Sequence, residues 1–291
     1  MGEQLVGECA TAINNGPSDL KRILVIGVAK TGTTVISKTI QNTLQLGGYN
    51  LEPKTAAFFE ELAKNSHETV VKILYDHWMD RPRLLNSIIH NEFRTGFDVN
   101  LFIVRDPRAE FISRLHYIAF PYFSGVVRPE KDVTDWTDLF ERLETDPAFG
   151  LVSMLAAMRD RFGTDLTGDI RRAASVRLAT YIRQLPPHLY HLIKYEDFMS
   201  GRTDDHPLAH MFSGSRNVGG ELSRTKRSDD PNDWKAYVKT SEDKAWLQRQ
   251  LSSACEVAGY EDSFDDGGMI NPDNCSVYVK RLIREARQGR R

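Results

Sequence analysis

Between Lys21 and Ile40 the chain reads KRILVIGVAKTGTTVISKTI, and this stretch limits the possible fold more than any other. Ile23 to Val28 is a short apolar run rich in β-branched residues, the composition of a buried strand. Gly27 through Thr34 follows as a turn with two glycines, one lysine and three threonines. Val35, Ile36, Ile40 and Leu44 then come close to the i, i+4, i+8 rhythm of an amphipathic helix. A strand, a glycine turn and a helix in that order present free backbone N–H groups to an anion at a helix N-terminus. Gly32 lets the backbone approach a ligand closely, Lys30 adds a positive charge, and Thr31, Thr33 and Thr34 add hydroxyls. The stretch reads as a phosphate-binding loop. Gly27 and Gly32 keep the glycine spacing of the triphosphatase pattern GxxxxGK[ST], but Thr33 stands where that pattern has its lysine. Lys30 lies two residues before the second glycine instead, which argues against an ordinary ATPase or kinase.

The rest of the chain repeats the strand–helix alternation. Thr69 to Leu74 (TVVKIL), Val99 to Val104 (VNLFIV) and Leu189 to Lys194 (LYHLIK) read as further strands. Helices are expected over Glu52 to Asn65, Arg81 to Phe93, about 135 to 144, 150 to 162, 169 to 185, and Ser241 to Ala258. This predicts an α/β chain: a single domain with a mostly parallel central sheet flanked by helices, a P-loop-like nucleotide-binding fold. Ligands of such sheets bind beyond the strand carboxyl ends, where Lys30, the segment from Lys72 to His77, and Arg105 all fall. Residues 118 to 134 are expected as a long aromatic and proline-containing loop. Residues 200 to 233 are expected as polar loop around one short helix. The organisation predicted is a polar lead-in over 1–20, one domain over 21–260 and a tail over 261–291, acidic and then basic.

At 291 residues the chain is long enough for a large, well-filled α/β core. A formal net charge of −2 provides no global field for nucleic acid or anionic membrane, so basic residues act locally. The three cysteines, Cys9, Cys255 and Cys275, form no CxxC pattern and suit a reducing compartment. No signal-peptide core or membrane-length apolar run is present, and the expectation is a cytoplasmic protein without a membrane span. His188/His191 and His206/His210 have metal-like spacings but no convergent partners, so no metal is expected.

A second segment carries chemistry. Arg105 to His116 reads RDPRAEFISRLH, with Asp106 placed as an N-cap and Pro107 at the first helical position. Arginine at a strand end grips phosphate bidentately, Ser113 can add a hydroxyl, and the helix end adds its dipole. Ala109, Ser113 and His116 share one helix face. Together, AKTGTTV at 29–35 and this segment resemble sulfotransferases that use 3′-phosphoadenosine 5′-phosphosulfate (PAPS). The resemblance runs from about residue 22 to 238. It implies that Lys30, Thr31, Gly32, Thr33 and Thr34 hold the 5′-phosphate and that Arg105 and Ser113 hold the 3′-phosphate. Lys194-Tyr195-Glu196-Asp197 resembles the family's YED segment, which would bring Tyr195 to the adenine. Arg227 to Tyr237 (RSDDPNDWKAY) resembles the segment that closes over the 3′-phosphate, with Arg227, Asp233, Trp234 and Lys235 in register. Both glycines and the second lysine of that segment are replaced, with Arg224 and Lys226 available to substitute for the charge. Val35 replaces the tryptophan that packs on adenine in many cytosolic members.

The resemblance further implies transfer of the sulfuryl group of PAPS to a hydroxyl or amine of a small molecule or saccharide, releasing adenosine 3′,5′-bisphosphate (PAP). Lys30 would stabilise the bridging and 5′-phosphate oxygens and Lys72 the sulfonate, so that lysine supplies what magnesium supplies in kinases. Lys72 fits the family's strand-end lysine, but the position of its catalytic histidine holds Leu74. His77 is the expected general base, with His116, Asp76 and Glu60 as alternatives. Two other classes stay open: a P-loop nucleotide kinase, and a non-catalytic nucleotide-binding protein.

Overall fold

The computed structural model describes residues 20–165, 174–216, 226–265 and 267–289. Five parallel strands form its sheet: β1 (Arg22–Gly27), β2 (Gly48–Leu51), β3 (Thr69–Leu74), β4 (Val99–Val104) and β5 (His191–Lys194), in the order β2-β3-β1-β4-β5. The chain is thus α/β with a parallel central sheet flanked by helices. β1 pairs with β3 from Arg22↔Thr69 to Gly27↔Leu74 and with β4 from Ile23↔Val99 to Gly27↔Ile103. From β1 the chain leaves through α1 (Thr33–Leu44) toward β2 on one side, whereas β5, the strand after β4, lies on the other. The carboxyl ends of β1 and β4 therefore meet at a topological switch point.

The described residues fall into two compact units. The first takes in Met1–Arg105, Ala174–Leu222 and Val257–Gly259 and holds the whole sheet. Strand alternation sorts its core into two faces. Leu24, Ile26, Val71, Ile73, Phe102 and Val104 pack with Phe59 of α2 (Ala56–Leu62), Leu85 and Ile88 of α3 (Pro82–Ile89), and with Leu178 and Tyr181. Ile23, Val25, Val70, Leu101, Ile103 and Ile193 pack with Ile36 and Ile40 of α1 and with Phe198 and Met211. Both faces of every inner strand are covered, which is why those strands are continuous apolar runs rather than alternating ones.

The second unit takes in Asp106–Ala173, Ser223–Glu256 and Tyr260–Arg291 and is helical. It contains α4 (Pro107–Tyr117), α5 (Ala119–Phe123), α6 (Glu130–Thr145) and α7 (Leu151–Phe162). Back in the first unit lie α8 (Ala174–Gln184) and α9 (Tyr195–Ser200). Of the last two helices, α10 (Ser241–Ala258) belongs to the second unit except at its final turn, and α11 (Ser276–Gln288) belongs to it entirely. Two expectations are corrected here. Segment 118–134 is mostly helix, because α5 follows α4 almost directly and α6 starts immediately after Pro129. The region read as a tail supplies α11, whose Tyr278, Val279, Leu282, Ile283 and Ala286 are buried in the second unit's core. Among the described residues no helix is long and apolar enough to cross a membrane. The expected lead-in over 1–19, the start of the helix expected at 169–185, and Arg224 lie outside the described residues.

Candidate functional site

The loop after β1 is held at four points. Thr31 turns back on Val28, its N–H at 3.2 Å and its Oγ1 at 2.7 Å from the Val28 carbonyl. The Ala29 N–H donates to Oδ2 of Asp76 at 2.7 Å. The Lys30 carbonyl accepts from Nη1 of Arg105 at 2.8 Å. Lys30 itself sits in the left-handed region with φ 73°, a conformation that costs a residue with a side chain about 1–2 kcal/mol. The peptide that follows Lys30 is bonded at both ends, its carbonyl to Arg105 and its Thr31 N–H to Val28, which offsets that cost. Gly32, at φ 82°, is glycine for a second reason: a Cβ there would lie 2.1 Å from Cδ2 of Tyr195. Gly27 is equally confined, since its Cβ would meet Thr33 Cγ2 at 2.5 Å.

Gly32 is the N-cap of α1, and no side chain caps that end among the described residues. The first intrahelical bond runs from the Ile36 N–H to the Gly32 carbonyl. The first-turn N–H groups therefore have no partner inside the helix, and they carry the positive end of its dipole. Thr33 and Thr34 are buried at this end.

Three side chains from neighbouring strand ends come to the loop. Lys72 of β3 is buried, with Nζ 3.0 Å from Thr34 Oγ1 and 2.7 Å from Glu52 Oε1. Burial lowers its pKa below the ordinary lysine value, against the opposing attraction of Glu52. Arg105, at the end of β4, is 7% exposed, and its guanidinium lies 4.6 Å over the Tyr195 ring. Its Nε is buried without a hydrogen-bond partner. Tyr195, the ring expected against an adenine, opens α9 and lies against Gly32 and under the Arg105 guanidinium.

His77 ends the 3-10 turn Tyr75–His77 directly after β3. Its Nδ1 is buried with no hydrogen-bond partner. Burial first, and the Lys54 charge second, hold its pKa below the usual histidine value, so the ring is neutral near pH 7. Asp76 has the commitment to Ala29 described above, and Glu60 is exposed on α2.

Glu52 is the residue that sequence reasoning missed. It follows β2, stands at φ 56°, donates its N–H to the Lys72 carbonyl at 2.7 Å and pairs its carboxylate with the Lys72 ammonium. The left-handed backbone turns its carboxylate onto the buried lysine. The signal lay in β2 itself, the short strand GYNL, whose opening at Gly47-Gly48 reads as a turn.

The remaining predicted residues lie in the second unit. Ser113 is buried on α4. Arg227 directs both of its Nη atoms inward, to Asp233 at 2.5 and 2.6 Å and to the Asn274 carbonyl at 3.2 Å. This guanidinium forms a buried ion pair with Asp233, and its Nε is buried without a hydrogen-bond partner. His116 is fully buried, with Nδ1 2.6 Å from the Ile112 carbonyl and Nε2 3.1 Å from the Tyr237 hydroxyl. A carbonyl can only accept, so Nδ1 carries the proton and Tyr237 donates to Nε2. Among the described residues no group of three or more His, Cys, Asp or Glu side chains is placed to hold a metal. Comparison with family models, curated proteins and solved structures returned no match for this chain.

Proposed function

We propose that the chain is a PAPS-dependent sulfotransferase acting on a hydroxyl or amine of a small molecule or saccharide. The observation that carries the reading is the convergence, at the β1/β4 switch point, of an uncapped helix N-terminus, Arg105 and the buried Lys72 on one glycine loop. Such a site suits an anion held by backbone N–H groups and fixed cations. The displaced lysine of the loop favours sulfuryl over phosphoryl transfer.

In this reading the first-turn N–H groups of α1 and the hydroxyls of Thr33 and Thr34 hold the 5′-phosphate, beside Lys30. The acceptor oxygen forms a bond to sulfur as the bond from sulfur to the 5′-phosphate oxygen breaks. The acceptor proton passes to His77 Nδ1, the buried nitrogen without a partner, and the leaving group is adenosine 3′,5′-bisphosphate. Lys72 stabilises the sulfonate once the ligand draws its ammonium from Glu52. Glu52 is then an alternative proton acceptor.

The test compares melting temperatures with adenosine 3′,5′-bisphosphate and with ATP plus magnesium. A ligand at a hundred times its dissociation constant adds about 2.7 kcal/mol, which a melting scan resolves. The bisphosphate should give the larger shift without magnesium, and Arg105→Ala should remove the preference. A larger shift with magnesium and ATP would replace the sulfotransferase with a kinase. No shift with either would leave a non-catalytic protein.

A further inference from the structure

We infer that Asp76 is a specificity-determining residue, whose carboxylate closes one arm of the loop and makes the site reject nucleoside triphosphates. The inference rests on the nucleotide site proposed above and concerns which nucleotides it admits. Glycine loops that hold triphosphates surround the phosphate chain with successive backbone N–H groups along the loop. Here the arm leading out of β1 has the backbone donors of Ala29 and Thr31 in use. The Ala29 N–H is on Asp76 Oδ2 at 2.7 Å, and the Thr31 N–H and hydroxyl are both on the Val28 carbonyl. The donors without a partner inside α1 begin at Gly32, where the helix starts. One phosphoryl group can be held there, but the arm that would hold the next one is closed.

Charge acts in the same direction. A carboxylate in the loop's mouth repels further phosphates while leaving a single phosphoryl group on the helix end, a penalty against the wrong ligand rather than a gain for the right one. Asp76 is also fixed in place. It lies within the turn Tyr75–His77, which is closed by the Trp78 and Met79 N–H groups on the Tyr75 carbonyl, both at 2.8 Å. Trp78, which follows the turn, is fully buried. The backbone that carries the carboxylate is thus set by this turn, and its Oδ2 is held by the Ala29 N–H.

Asp76→Asn separates charge from hydrogen bonding, because the amide oxygen can still accept from Ala29. Calorimetric titration of full-length wild type and variant with adenosine 3′,5′-bisphosphate and with ATP, both without magnesium, reads the ratio of the two affinities. Removing the charge should improve ATP binding about tenfold with little change for the bisphosphate, as expected when a repulsive element is deleted. An unchanged ratio in the folded variant overturns the inference. If wild type ignores the bisphosphate, the sulfotransferase reading fails separately. In that case a gain of ATP binding by Asp76→Asn still upholds the carboxylate's role, and no gain overturns it. Should the asparagine variant not fold, Asp76→Ser carries the same comparison with the same outcomes.

Discussion

His77 in the first unit and His116 in the second were both read from the sequence as candidate bases, and the structure puts them in opposite situations. His77 keeps a buried Nδ1 without a partner, at the end of a strand that leads to the loop. His116 has both ring nitrogens engaged, by Ile112 and Tyr237, in a fully buried place among Phe140, Tyr237 and Tyr278. The arginines divide in the same way. Both keep a buried Nε without a hydrogen-bond partner, but Arg105 reaches the loop through Nη1, whereas both Nη atoms of Arg227 are on acceptors within its own unit. The sheet unit ends its strands on one edge and brings polar groups there that the fold does not use up. The helical unit buries His116 and Arg227 in its core, where His116 has both ring nitrogens and Arg227 both Nη atoms engaged.

The largest effect that would sharpen this contrast is on stability in the second unit. Arg227→Ala leaves Asp233 without its guanidinium and should cost about 3–5 kcal/mol, the scale for breaking a buried ion pair from one side. Chemical denaturation would measure it, and adding Asp233→Asn should restore part of the loss. A cost near zero, with nucleotide affinity lost instead, would move Arg227 back to the ligand.

In the first unit the expected loss is catalytic. Lys30→Ala should lower turnover by about 10²–10³, as for removal of one preorganised stabiliser of developing charge. Its melting temperature should change little, because alanine pays the same cost of the left-handed backbone as lysine. Turnover near wild type in a folded variant would remove Lys30 from the chemistry.

The two histidines give the direct test at smaller magnitude. His116→Ala strands the Tyr237 hydroxyl in the core and should cost about 1–3 kcal/mol, the penalty for an unsatisfied buried group, with nucleotide affinity unchanged. His77→Ala should do the reverse, losing turnover while melting almost as wild type. If His77→Ala keeps its turnover and Glu52→Gln loses it, the proton acceptor is Glu52. If both keep it, neither is the acceptor.

Much of the first unit was legible because its signals are local. TVVKIL and VNLFIV are strands over the residues read from sequence. The glycine loop was readable as an anion site, but its shape was not. That shape depends on Asp76, Arg105 and Tyr195, which are distant in sequence and meet only when the sheet forms. The second unit was less legible for the opposite reason. Prolines 121 and 129 with Gly125 suggested loop, yet α5 carries Pro121 within its first turn and α6 uses Pro129 as its N-cap. The tail's charge drew attention from the apolar spacing of Val279, Leu282, Ile283 and Ala286, the i, i+3, i+4, i+7 pattern of a core helix.

The smallest effect is a pH dependence that also belongs to the first unit and lies outside the loop. The His206 ring is pinned from both sides: Nε2 donates to the Leu192 carbonyl at 3.1 Å, and Nδ1 accepts from the Leu208 N–H at 3.1 Å. Protonating Nδ1 would point a second N–H at that donor. Burial lowers the His206 pKa below 6.5, although the Leu192 bond opposes it. His191, with its ring centroid 6.2 Å away, is lowered by burial and then by the charge of His206. In both cases the folded pKa lies below the unfolded one, so the unfolded chain binds more protons over the interval between them. The stability that these two neutral rings contribute is complete above pH 6.5 and is lost as pH falls through the depressed folded values. Melting temperature should therefore decline more steeply below pH 6.5 in wild type than in His206→Gln, whose side chain does not titrate. Parallel curves would show that the pair does not sense pH, and would leave the polar groups at the loop as the first unit's pH-sensitive elements.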